Sequence, residues 1–249
     1  MSARAFLKNI FKRFGYKVSK YAEGDIDADT VFIELYEQCR PYTKVARERC
    51  YALYLAVRYA VAHGTMGDMV ECGVWKGGCS MLIAHTLLTL NDTSRTIWLY
   101  DTFEGMSEPT TDDISTNSGI DAVKEWNKHN RKDGDFWCEA SLEEVRNNMN
   151  RTGYPPERIK FVKGKVEDTI PMTVPVAIAL LRLDTDWYES TYHEMKHLYP
   201  LISNGGTLVL DDYGSWNGAR KAVDQYLHES HTPLLLVKTH NGRVGVKVS

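Results

Sequence analysis

Two apolar runs, each closing on a pair of carboxylates, constrain this chain more than any other feature. Ala177-Ile178-Ala179-Leu180-Leu181-Arg182-Leu183 leads into Asp184-Thr185-Asp186, and Gly206-Thr207-Leu208-Val209-Leu210 leads into Asp211-Asp212. Runs of this length, flanked by turn signals, read as buried strands. A charge at the last residue of such a strand is costly unless it binds something. In an open α/β sheet, ligands sit at the carboxyl ends of the strands. Four carboxylates there point to an oxygen-lined site for a hard divalent cation such as Mg²⁺.

The rest of the chain supplies the sheet. Residues 69–72 form a short strand, the glycine-rich loop 73–78 follows, and 80–90 reads as a helix starting at that loop. Residues 96–100 form a second strand, ending in Asp101. Such a β-loop-α-β unit implies a parallel sheet with right-handed crossovers. Further strands fall at 159–162, 177–183 and 206–210, with a closing antiparallel pair at 234–238 and 244–248 around Asn241-Gly242. Helices are expected over 30–39, 45–63, 190–201 and 218–228, and from a capping box at Ser141 to Glu144. The polar stretch after Gly105 reads as a lid or binding insertion, spanning about 106–138. The division expected is an N-terminal helical segment, 1–41, for packing or oligomerisation, and an α/β domain, 42–249.

Charge excludes some partners. Lys and Arg total 30 against 33 Asp and Glu, a net −3, with no basic stripe, which argues against nucleic acid. Cys39, Cys50, Cys72, Cys79 and Cys138 form no CxxC pair, and their odd number argues against a disulfide framework and for a reducing, cytoplasmic setting. Phe6, Leu7, Ile10, Phe11 and Phe14 alternate with lysines and Arg13 at helical spacing. This segment reads as an amphipathic helix for the body, a second subunit or, less simply, a membrane surface. No run approaches the roughly 18 apolar residues of a membrane span.

The loop Glu71-x-Gly73-x-x-x-Gly77-Gly78-x-Ser80 has the chemistry of a ligand cradle, because glycine lets the backbone approach closely and a helix N-terminus favours anions. Asp101 is placed to accept from ribose hydroxyls and Phe103 to face an adenine; the plain alternative is a capping Asp and a core Phe. The spacing is not G-x-G-x-x-G, which disfavours a nicotinamide cofactor.

These residues resemble a family. Val70-Glu71-Cys72-Gly73-Val74-Trp75-Lys76-Gly77-Gly78 is similar to the first motif of the macrocin O-methyltransferases, enzymes that use S-adenosylmethionine and Mg²⁺ to methylate sugar hydroxyls of macrolides and aminocoumarins. Tyr100-Asp101-Thr102-Phe103-Glu104-Gly105-Met106 resembles the second motif and Phe161-Val162-x-Gly164-x-Val166-Glu167-Asp168 the third. Leu183-Asp184-Thr185-Asp186-Trp187 and Leu210-Asp211-Asp212-Tyr213 resemble the metal-site motifs, and Tyr42-Thr43 with Glu48-Arg49 the segment before the first motif.

The resemblance implies a Rossmann-like class I methyltransferase. Its sheet is mostly parallel and seven-stranded, with helices on both faces, an antiparallel C-terminal pair and a mobile lid. It implies Asp184, Asp211 and Asp212 as metal ligands and Asp186 as general base. A lid histidine is the base in the macrolide branch, and here the nearest is His129. Thr43, Glu71, Gly73 and Ser80 would surround the methionine end of the cofactor, with Asp184 beside it. Asp101 would hold the ribose, and Phe103, Val166 and Glu167 or Asp168 the adenine. The expected acceptor is a sugar or other vicinal diol on a small molecule, and a homo-oligomer is expected. The rivals are a catechol-type methyltransferase and a non-catalytic nucleotide-binding protein, which has no use for four carboxylates that repel one another.

Overall fold

A computed structural model of the chain describes residues 24–128 and 137–248, together with Gly15. The expected N-terminal amphipathic helix and His129 lie outside these residues. In chain order the elements are α1 (Thr30–Cys39), α2 (Arg47–Ala62), β1 (Asp68–Cys72), α3 (Gly78–Thr89), β2 (Ile97–Asp101), α4 (Ala122–Lys128) and α5 (Leu142–Asn150). Then follow β3 (Ile159–Lys163), α6 (Val166–Thr169), β4 (Ile178–Leu183), α7 (Tyr188–Leu198), β5 (Ile202–Leu210), α8 (Asn217–Glu229), β6 (Val237–Thr239) and β7 (Gly242–Val246).

The seven strands form one sheet in the order β3-β2-β1-β4-β5-β7-β6. β1 to β5 are parallel, while β7 pairs antiparallel with β5, and β6 with β7. From β1 the chain steps outward to β2 and β3, then crosses back to β4 on the other side of β1. Order therefore reverses between β1 and β4, which is where an open α/β sheet opens its ligand crevice.

Side-chain alternation sorts the core into two layers. Met69, Leu99, Leu180 and Val209 face α1, α2 and α3. Val70, Tyr100, Leu181 and Leu208 face Met195 and Leu198 of α7 and Val223 of α8. Phe32, Leu35 and Cys39 of α1 belong to the first layer, so this helix packs within the same core as residues beyond 42. Ser141 Oγ accepts from Glu144 N–H at 3.1 Å and starts α5 where the capping signal lies.

Most boundaries shift by one to three residues, and two strands depart in a way that the pairing explains. β5 begins at Ile202, four residues early, because Ile202 already pairs with Ile178 ahead of the irregularity at Gly205 and Gly206. β6 keeps only three residues, and Leu235 is 80% exposed. The hairpin explains it: the turn is His240-Asn241, with His240 rather than a glycine in the left-handed region (φ 57°), and the register then runs out at Val237 opposite Val244.

Candidate active site

A cleft of about 320 Å³ opens over the carboxyl ends of β1 and β4. Its floor is made by two tight turns. Gly73 (φ +79°) follows β1, and the place a Cβ would take there is occupied by the Asp184 carbonyl that follows β4. The Asp184 N–H in turn donates to the Cys72 carbonyl at 2.9 Å. A side chain at Gly78 would come within 2.6 Å of the Tyr42 carbonyl. Backbone thus meets backbone beneath the cleft, and glycine is what permits it.

Arg182, in the middle of an apolar strand, organises the charges. It stands opposite Glu71 in the β1–β4 register. Its Nη1 meets Glu71 Oε1 at 2.5 Å, and its Nη2 meets Asp184 Oδ2 at 2.7 Å and Asp211 Oδ1 at 3.0 Å. Arg49, from α2, bonds the other Asp211 oxygen and the Asp211 carbonyl. Ser80 Oγ, at the start of α3, donates to the second Glu71 oxygen. Asp184, Asp211 and Asp212 each offer an oxygen within 4.8 Å of the others.

Burial sets the electrostatics. It raises Asp186 to about 7, with the Asp184 charge adding to it. Asp211 rises to about 6 by burial and the Asp184 charge, against Arg182 and Arg49. Asp212 lies well above its ordinary value, by burial and then the neighbouring Asp186. Glu71, buried completely, is pushed up to about 7 despite Arg182. Five carboxylates, Glu71, Asp184, Asp186, Asp211 and Asp212, face two guanidinium groups, so the fully ionised site carries three excess negative charges. Carboxylates crowded this way hold protons or a cation.

The expected site residues divide into three groups. Thr43, Glu71, Gly73, Val166, Glu167, Asp184, Asp186, Asp211 and Asp212 line the cleft. So does Asp101, but its oxygens already accept from the N–H groups of Val74 (2.6 Å), Trp75 (3.1 Å) and Phe103 (2.7 Å), so it shapes the loop. Ser80 lies beneath, buried against Glu71, and Asp168 opens on an adjoining recess of about 240 Å³. Phe103 departs from its expected place. The bond to Asp101 bends its backbone to φ 53°, and the ring sits 3% exposed in the core, edge-on to Phe161 at 6.3 Å.

The sequence places Arg49 in the segment before the first motif but gives it no site role, and it passes over Glu194. Arg49 lines the cleft 162 residues from its partner. Glu194 is wholly buried on α7, holds Thr185 Oγ1 at 3.1 Å, and is raised well above the carboxylate range by burial. A lone Glu on the inner face of an amphipathic helix was its only signal. Trp187 and Trp216 meet edge-on at 5.0 Å in a small apolar cluster, where Met106 and Trp137 of the insertion join them.

Sheet order, switch-point cleft and glycine turn define the architecture of class I methyltransferases. The comparisons narrow the class. The sequence model of the macrocin O-methyltransferase family (TylF) matches residues 26–240. The chain is 34% identical over 204 residues to 8-demethyl-8-(2,3-dimethoxy-α-L-rhamnosyl)-tetracenomycin-C 4'-O-methyltransferase of Streptomyces olivaceus, covering 82% of this chain and 74% of that one. It is 30% identical over 225 residues to mycinamicin III 3''-O-methyltransferase of Micromonospora griseorubida, covering 88% and 85%. The solved O-methyltransferase NovP superposes with a TM-score of 0.73 at 28% identity, covering 84% and 83%. The chain belongs to the macrocin O-methyltransferase family.

Proposed function

We propose that this enzyme uses S-adenosylmethionine and Mg²⁺ to methylate a sugar hydroxyl on a glycosylated small molecule. The observation that carries the reading is the convergence of Asp184, Asp211 and Asp212 within 4.8 Å beside the cleft. An all-oxygen set of this kind suits a hard cation. When bound, Mg²⁺ would lower the pKa of an acceptor hydroxyl and fix it in place, and the sulfonium would supply the methyl group.

The chain's own residues do the rest. Gly73 and Gly78 let backbone pack on backbone beneath the cleft, and Thr43 and Glu71 border that end of it. Arg49 Nε is buried with no partner among the described residues, a donor suited to a carboxylate-bearing cofactor. Val166 and Glu167 border the far end. Asp186 shares hydrogen bonds with Asp212 and Trp216 and, raised to about 7, is matched to taking a proton near neutral pH. In-line displacement depends on alignment, and the Trp187–Trp216 wall closes the acceptor side.

The tetracenomycin and mycinamicin relatives are named for methylation at a rhamnosyl 4' and a 3'' oxygen, which supports a sugar acceptor here. We read residues 42–249 as the catalytic unit, with Met106, Ser107 and Cys138 of the insertion bordering the cleft, working as a cytoplasmic homo-oligomer. Among the described residues no helix is long and apolar enough to cross a membrane. Calorimetric titration of S-adenosylhomocysteine, then methyl transfer to a panel of rhamnosides and catechols, tests the proposal. Binding with turnover on rhamnosides is expected. Turnover on catechols alone refutes the sugar acceptor, and absence of binding refutes the cofactor.

A further inference from the structure

The segment between β4 and α7 carries Asp186 on a backbone that an L residue rarely adopts, with φ +66°. Such a conformation persists only where its surroundings over-determine it. Thr185 Oγ1 donates to Glu194 of α7 at 3.1 Å, and Asp186 N–H donates to Asp212 Oδ2, just past β5, at 3.2 Å.

Locally, Trp187 N–H closes a three-residue turn on the Thr185 carbonyl at 2.8 Å and Ser190 Oγ donates to the same carbonyl at 3.4 Å; these bonds travel with the start of α7, which the insertion holds from outside. Trp187 Nε1 donates to the Ser107 carbonyl at 2.9 Å, and Tyr188 N–H to Asp113 Oδ1 at 2.8 Å. Asp113 is fully buried. Its second oxygen accepts from Thr110 N–H at 2.7 Å and Thr110 Oγ1 at 3.0 Å, and its carbonyl from Ala122 N–H at 3.0 Å. α7 has no cap from its own N-cap side chain, that of Trp187. A carboxylate from 75 residues upstream supplies one. Gly218 of α8 makes room for it, since a Cβ there collides with Asp113 Oδ1. The same stretch grips the turn after Asp212: Asn217 N–H donates to the Ile114 carbonyl at 2.9 Å, and Thr116 Oγ1 to the Gly214 carbonyl at 2.6 Å.

We infer that Asp113 is a positioning residue: by capping α7 from the insertion it holds Asp186 in its left-handed conformation against Asp212 and Trp216. Residues 107–116 are then a fixed strut of the active site. The kinetic consequence rests on Asp186 as the base; the geometric one does not.

Asp113→Ala tests both. Its crystal structure is expected to show Asp186 φ outside the positive region. Its kcat is expected to fall by about 30- to 100-fold, the scale of an ångström misplacement, with S-adenosylhomocysteine affinity and acceptor KM nearly unchanged. Asp113→Asn keeps an acceptor for Tyr188 N–H and is expected to recover most of the lost kcat. If Asp113→Ala does not fold, Asp113→Ser, whose shorter side chain withdraws the carboxylate from Tyr188 N–H, is read in its place for Asp186 φ and kcat, with the same expected results. A positive Asp186 φ in Asp113→Ala, or a lowered Tm with wild-type kcat, overturns the inference. If Asp186→Asn proves fully active the base reading fails, and the φ of Asp186 still decides the positioning role.

Discussion

Arg182 is 1% exposed and bonds Glu71, Asp184 and Asp211 together. Removing one partner of a buried ion cluster leaves the others uncompensated, a loss of about 3–5 kcal/mol. Arg182→Met is therefore expected to lose about that much in a urea denaturation series, and a loss under 1 kcal/mol contradicts the hub. For Asp186, Asn substitution is expected to lower kcat by about 10²–10⁴-fold, the usual worth of a positioned base, with S-adenosylhomocysteine affinity unaltered by calorimetry. The raised carboxyls also give a pH signature. Glu71 and Asp186 stand at about 7 and Asp211 at about 6, above ordinary values of 4.5, 3.8 and 3.8. Without a cation the native state binds more protons than the unfolded chain between roughly pH 4 and 7, so stability falls as pH rises through that window. A cation needs the carboxylates ionised, so the Tm gain from Mg²⁺ is expected to widen from pH 5 to 8. A gain independent of pH contradicts this.

At the scale of elements, the two turns after β1 and β4 act as one unit, because the Asp184 carbonyl fills the side-chain space of Gly73. Gly73→Ala adds a clash to an unfavourable φ, worth about 1–3 kcal/mol for the strain alone. It is expected to lower Tm and weaken S-adenosylhomocysteine binding together; unchanged binding separates that turn from the cofactor site. Much of this was legible in the sequence. Apolar runs ending in acids mark β4 and β5 and their outlets, and the glycine loop marks the β1–α3 turn, because both signals are local. Arg49 with Asp211, or Asp113 under α7, are pairings between distant positions, and nothing local in either partner announces the other. Phe103 misled for a local reason: its backbone bond to Asp101, invisible as a pattern, turns the ring inward.

At the scale of the molecule, the reversal of strand order sets the glycine loop of β1 beside the acids of β4, and β5 completes the cluster next door. The fold thus places the glycine turn and the carboxylate cluster on the two sides of one crevice, with residues 107–116 bonded beside the second. Turnover as a function of free Mg²⁺, with S-adenosylmethionine and a rhamnoside acceptor, tests the central claim most directly. The account predicts a saturable rise from a baseline that a chelator abolishes, and little or no rise in Asp211→Asn. Full turnover of the wild-type enzyme in excess chelator contradicts it.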